Sequence, residues 1–408
     1  MNRILIYVFL WSFQVVFGQT IEVPVDYNNA DFGTFELSFE HSSNVDPQKP
    51  TVIVVADAQQ FYVRKGQMDK IKTDLFSEGF NVLGIIPRAF NKDLIKRVKS
   101  TNLSNKQELR FRAFQSFQYI NDIKTVIDSV LSDVSEIYLY GQSGGAFLIT
   151  EYLSMFPESK VKKVFIGASV NPVVENSLGI VHDNFNRDFL TKYPASNKKL
   201  KQILNEVYFK RKTIASLFQR QNFFVALSEI DSARVQLIDR LYEKDTTTIN
   251  KMIIDYQIEA ISNYLDSDSG FPIKVRIAEF FYPLKAILEL PSGFYPDLEN
   301  SYYIAEEILV DKSGNPRVVE NSFNENGIRK FRGKVLLLSA RFDHVADYRS
   351  CLYLNALLPN SELLLVNDNH TFQNLKKNKA YASIIQDFFL EDNIDLKQTY
   401  KTYIWREN

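Results

Sequence analysis

Cysteine is nearly missing from this sequence: Cys351 is the only one in 408 residues. A chain with one thiol forms no internal disulfide, so a large packed core must hold it together, and cysteine-based zinc sites are excluded with it. Histidine is almost as sparse. His41, His182, His344 and His370 are scattered along the chain, so no metal and no cofactor are implied. Excess charge of either sign is also absent, with 48 Lys and Arg against 49 Asp and Glu, and that balance gives no reason to expect nucleic acid as a partner. A long hydrophobic run occurs only at the amino terminus. Ile4 to Phe17, behind Arg3, falls short of the roughly 20 apolar residues that span a bilayer. With Val16-Phe17-Gly18 at its end it reads as a cleavable signal peptide over residues 1–18, which predicts a secreted or periplasmic protein with no stable membrane insertion. Glycine is scarce too, 15 in all, yet three fall in the window Gly141 to Gly145.

That window lies in the stretch Glu136 to Phe147. Ile137 to Tyr140 reads as a short buried strand, Gly141-Gln142-Ser143-Gly144-Gly145 as a sharp turn, and Ala146 to Met155 as the helix leaving it. Strand, G-x-S-x-G and helix in succession are the setting of a serine held on a tight elbow with its hydroxyl exposed. Gly141 and Gly145 fit because a side chain two residues to either side of the serine would collide with the turn. The Gly144 N–H, at the helix start, is placed to stabilise an oxyanion.

Such a serine needs an acid and then a histidine after it in the chain. His370 is the candidate base: it follows the apolar run Glu362 to Val366, in the loop Asn367 to Thr371, ahead of an amphipathic helix reaching about Leu390. His344 is set aside because it adjoins the acid, and neighbours at a strand end point apart. The acid should end the preceding strand, Lys334 to Ser339. Asp343 is the first choice, with Asp347 the alternative; Asp368 is more simply a turn residue. Two N-glycosylation acceptors, Asn102-Leu103-Ser104 and Asn369-His370-Thr371, are present, the second against the candidate base.

These residues together resemble the α/β-hydrolase family, most closely its secreted branch of proline iminopeptidases and tripeptidyl aminopeptidases. The likeness rests on Ile21 to Tyr27, Tyr140 to Gly145, and Arg341-Phe342-Asp343 followed by His370. It implies an α/β-hydrolase fold and a triad of Ser143, His370 and Asp343. Members usually carry His-Gly after the third strand, where one amide of the oxyanion hole resides. Here Thr51 to Val55 is followed by Ala56-Asp57-Ala58-Gln59-Gln60, so the amide of Ala58 or a neighbour is the candidate.

In chain order, Thr20 to Tyr27 and Gly33 to Glu40 read as two edge strands and Thr51 to Val55 as the first buried one. Lys65 to Glu78 reads as a helix stopped by Gly79, and Asn81 to Ile86 as a strand. Phe90 to Glu108 reads as a surface loop with a helical turn, Leu109 to Leu131 as one long helix, and Val161 to Ser169 as a strand. Strands alternating with helices predict a mainly parallel sheet flanked by helices, with ligands beyond its carboxyl ends. From 171 to 332 only helices are predicted, as Leu200 to Phe218, Phe224 to Tyr242, Thr248 to Leu265 and Ile277 to Leu290. This reads as a helical cap inserted between core segments 19–170 and 333–408, whose tail from Asp392 should be peripheral. The basic run Lys192 to Lys212 reads as a solvated helix face, and the aromatics Phe280 to Pro283, Phe294 to Pro296 and Tyr302-Tyr303 as pocket lining or plain packing.

The expected chemistry is acyl transfer from a peptide or small ester to water. A peptidase that reads a free amino terminus needs a cap carboxylate, for which Glu175, Glu229, Asp231, Glu259 and Glu279 are available. An esterase needs an apolar acyl pocket instead, and a non-catalytic binding protein on the same fold is the remaining class.

Overall fold

The buried apolar runs of the sequence assemble into one eight-stranded sheet. The computed structural model describes residues 19–100, 106–178, 180, 184–281, 294–309, 319, 322–392 and 394–405; the expected signal segment and the acceptor at Asn102 lie outside these. The strands are β1 (Gln19–Pro24), β2 (Thr34–His41), β3 (Thr51–Val54), β4 (Asn81–Ile85), β5 (Ile137–Gln142), β6 (Val161–Gly167), β7 (Lys334–Ala340) and β8 (Ser361–Val366), in the order β1-β2-β4-β3-β5-β6-β7-β8. Only β1 and β2 run antiparallel; β4, β3 and β5 to β8 pair in parallel. The mainly parallel sheet is therefore as predicted. One correction concerns β2, which is no edge strand but lies between β1 and β4, and its Phe35, Leu37 and Phe39 face a buried cluster while alternate residues stay polar.

The first helices are α1 (Met68–Leu75), α2 (Lys92–Ser100), α3 (Lys106–Arg112), α4 (Ser116–Ser129) and α5 (Gly144–Met155). The predicted stop at Gly79 is too late, since the Phe76 backbone is already extended. The loop expected over Phe90 to Glu108 instead contains a nine-residue helix, because Leu94 and Val98, one helical turn apart, both bury. The long helix expected from Leu109 to Leu131 is broken. Gln115 is extended, and the Ser116 N–H that an unbroken helix would use internally donates to Glu279 at 2.6 Å. Between β6 and β7 the described residues form helices and no strand: α6 (Pro172–Ser177), α7 (Asn184–Lys192), α8 (Pro194–Glu206), α9 (Arg211–Phe224), α10 (Ile230–Tyr242), α11 (Thr246–Asp255), α12 (Ile258–Leu265), α13 (Phe271–Phe281), α14 (Pro296–Leu309) and α15 (Glu325–Ile328). Predicted runs are split where the backbone turns left-handed, at Val207 and Gln257. The helical insertion has its own core, in which Phe218 meets Phe294 edge-on at 5.2 Å.

The chain closes with α16 (Tyr348–Leu357), α17 (Gln373–Lys377), α18 (Ala380–Leu390) and α19 (Leu396–Thr399). Its tail is not peripheral. Ile404 bridges antiparallel to Val366, and Trp405 N–H donates to Leu365 O at 2.8 Å, so the tail satisfies the open edge of β8.

One buried ion pair ties the antiparallel corner to the parallel core. The Arg88 guanidinium donates to both Asp122 oxygens at 2.8 and 2.6 Å and to the carbonyls of Val25 and Ala113 at 2.9 and 3.1 Å. Removing one partner strands the other charge away from water. Arg88→Met should lower unfolding free energy in urea by about 3–5 kcal/mol, and a loss below 1 kcal/mol would show that the pair is dispensable.

Candidate active site

Ser143 follows β5 with φ 54° and ψ −122°, a conformation that L residues avoid and that turns the chain directly into α5. Two bonds hold it there: Ser143 N–H donates to Gly167 O at 2.7 Å, and Phe147 N–H to Ser143 O at 2.9 Å. The flanking glycines are required by close approach. A Cβ on Gly141 would lie 2.7 Å from the Gly145 carbonyl carbon, and one on Gly145 would overlap the carbonyl oxygen of Val55.

Against this elbow the structure brings His370 and Asp343. His370 Nε2 lies 2.9 Å from Ser143 Oγ, and Nδ1 lies 2.9 and 3.0 Å from the two Asp343 oxygens. The Asp343 side chain is shielded from solvent, and its Oδ1 also accepts the N–H groups of Val345 and Ala346, each at 2.8 Å. The alternatives are otherwise engaged. Asp347 caps α16 through Arg349 N–H and pairs with the Arg349 guanidinium at 2.8 and 2.7 Å. Asp368 accepts the N–H groups of Asn369, Asn374 and Leu375, closing the loop that carries His370. Asn369 is buried and its Oδ1 accepts from Thr371 and Gln373, so the second glycan acceptor offers no accessible amide.

Several residues here gave no signal in the sequence. Gln60 stitches the loop after β3 to the elbow: its Oε1 accepts from Asp57 N–H at 3.0 Å and Gly145 N–H at 2.9 Å, and its Nε2 donates to Gln142 O at 2.6 Å. Gln59 N–H is taken by Asp57 Oδ1 and Gln60 N–H by Asp57 O. The Ala58 amide and the Gly144 amide at the start of α5 take part in none of these bonds. Gln142 braces the histidine loop by donating to His370 O at 3.3 Å and accepting from Tyr381 Oη at 3.0 Å. From the insertion, the Phe223 ring at the end of α9 stands edge-on to His370 at 6.3 Å and to His344 at 4.8 Å. Burial, with His370 and Arg234 nearby, holds His344 well below its ordinary pKa and therefore neutral.

The insertion's candidate acids divide by environment. Glu175 and Glu279 are buried on their own hydroxyl partners, Ser350 Oγ at 2.8 Å and Ser116 Oγ at 2.9 Å. Glu229 and Glu259 are exposed. Asp231 accepts from Lys192 at 2.6 Å and lines a cavity of about 190 Å³ with Asp188, Arg341, Asp343 and Asp347.

Beneath the elbow, α5 carries a buried Glu151 whose pKa is pushed up to about 8, first by burial and then by the charge of Glu279. Below about 4.5, the ordinary value, folded and unfolded chains both hold this proton; between there and about 8 only the folded chain keeps it. Stability is therefore lost as pH rises across that window. Glu151→Gln should gain on the parent protein in thermal unfolding from pH 5 to pH 8.5, by on the order of 4 kcal/mol. A constant difference across that range would contradict the assignment.

The family model described as alpha/beta hydrolase fold matches residues 66–376. No curated protein matches the sequence. Among solved structures, the chain is similar to an esterase from Exiguobacterium antarcticum at 12% identity, covering 90% of this chain and 99% of that one with a TM-score of 0.45. It is similar to a proline iminopeptidase from Mycobacterium smegmatis at 13% identity, with 91% and 98% covered and a TM-score of 0.45. At such identities these likenesses say nothing of activity. The family match covers most of the chain, including the elbow and every strand from β4 to β8, and the protein belongs to the alpha/beta hydrolase fold family.

Proposed function

We propose that the protein is an exported serine hydrolase that transfers acyl groups to water, with Ser143 as nucleophile, His370 as base and Asp343 as the carboxylate that orients it. The observation that carries this reading is the His370 imidazole, within hydrogen-bond distance of Ser143 Oγ on one side and Asp343 on the other. His370 Nε2 takes the hydroxyl proton as Oγ attacks the substrate carbonyl, and Asp343 stabilises the imidazolium that results. The oxyanion is held by the amides of Gly144 and Ala58. His370 then gives its proton to the leaving amine or alcohol. Water, deprotonated by the same nitrogen, attacks the acyl-enzyme and frees Ser143. Export rests on the signal-like residues 1–18.

As substrates we favour peptides with a free amino terminus. The cavity beside Asp343 is lined by Asp188, Asp231 and Asp347 against Lys192 and Arg341, and an incoming ammonium can take the place of Lys192 on Asp231. The insertion, 171–332, is then a cap that reads the amino end while Phe223 covers His370.

Ser143→Ala should abolish hydrolysis of alanyl and prolyl 4-methylcoumarylamides, and N-acetylation of those substrates should lower kcat/KM by about 100-fold, as expected for loss of a charged anchor. Equal turnover of free and acetylated forms would remove the ammonium-reading cap, and activity surviving in Ser143→Ala would remove the mechanism. Gln60→Ala should lower kcat by about 10-fold or more with KM little changed, since the stitch matters most when the oxyanion forms; a change confined to KM would place Gln60 in substrate binding instead.

A further inference from the structure

The loop after β3 carries a carboxylate against the elbow. Asp57 is fully buried, and its side chain packs so closely on Gly144 that a Cβ there would overlap it. Oδ1 accepts from Gln59 N–H at 2.9 Å, while Oδ2 has no hydrogen-bond donor and faces Arg276 Nε at 3.7 Å. Arg276 belongs to α13 of the insertion and is also fully buried. Its Nε and Nη2 make no hydrogen bond, and its Nη1 donates to Glu279. The rings of Phe147, Phe280 and Tyr119, at 4.8, 5.0 and 5.8 Å from the guanidinium carbon, wall it from water. Glu279 Oε1 accepts the Ser116 N–H and hydroxyl while its Oε2 takes Arg276 Nη1, so the guanidinium lies between two carboxylates, and Glu151, pushed up to about 8, is neutral at pH 7.

An ionised Asp57 without a counter-charge would set a negative field on the Gly144 amide, the group offered above to an oxyanion. In a site shut off from water such a field is scarcely screened. Burial drives Asp57 toward its neutral form and Arg276 draws it back, so the pair forms one electrostatic unit. We propose that Arg276 is a positioning residue for the Ser143 reaction, acting through Asp57: its charge cancels the carboxylate field at the Gly144 amide and seats the oxyanion loop. The helical insertion is then an electrostatic component of the reaction site. This rests on the serine-hydrolase reading.

The test is a double-variant cycle read as kcat and KM for p-nitrophenyl acetate, with folding followed by near-ultraviolet circular dichroism. Arg276→Met should lower kcat by about 100-fold, the scale of a lost oxyanion donor, with KM changed far less. Asp57→Asn should cost less than Arg276→Met, and the double variant Asp57→Asn/Arg276→Met should recover at least about 10-fold of the lost kcat, because the uncompensated charge beside Gly144 is gone while Glu279 keeps its Ser116 donors. If Arg276→Met does not fold, a folded and active double variant carries the same conclusion. A double variant that is unfolded, or as slow as Arg276→Met, overturns the proposal by making Arg276 a packing residue. Parent turnover that persists in Ser143→Ala removes the serine reading itself, whereas Ser143-dependent turnover with no rescue removes only this inference.

Discussion

A serine held at φ 54° is the constraint on which the rest of this molecule depends. That conformation is unfavourable for any side chain, and it persists only because the surroundings leave no alternative. Gly167 O takes the serine N–H, Gly141 and Gly145 pass within contact of their neighbours, and Gln60 clamps the turn from the other side. The gain is directional. The hydroxyl is lifted off the sheet to where the loop after β8 delivers His370.

Around the elbow, the polar groups that hold the histidine and its loop are each tied to a partner. Asp343 accepts two backbone amides besides the imidazole, which fixes the carboxylate against the ring it orients. Asp368 closes the histidine loop, and Gln142, the variable residue of the G-x-S-x-G turn, braces that loop from beneath. Leaving such groups unpaired would cost more than the bonds return.

Much of this was legible in the sequence, for physical reasons. Buried parallel strands are continuous apolar runs, so β3, β5, β7 and β8 could be read almost to the residue. Ser143, Asp343 and His370 could be picked out because chain order and strand ends restrict where such groups fall. What escaped was tertiary. The helix expected from Leu109 to Leu131 breaks where Ser116 meets Glu279, a contact 163 residues away in sequence. The tail looked peripheral because one bridge through Ile404 carries no periodicity. Asp57 figured in the sequence only as part of the loop after β3 and Arg276 not at all, and only folding shows that they face one another beside Gly144.

In this mechanism the imidazole of His370 primes the Ser143 hydroxyl. Reaction with a fluorophosphonate followed by peptide mass spectrometry tests it most directly: a single adduct on Ser143 is predicted, forming about 100-fold more slowly or worse in His370→Ala. No adduct, an adduct on another residue, or an unchanged rate without the imidazole would mean that His370 does not activate Ser143.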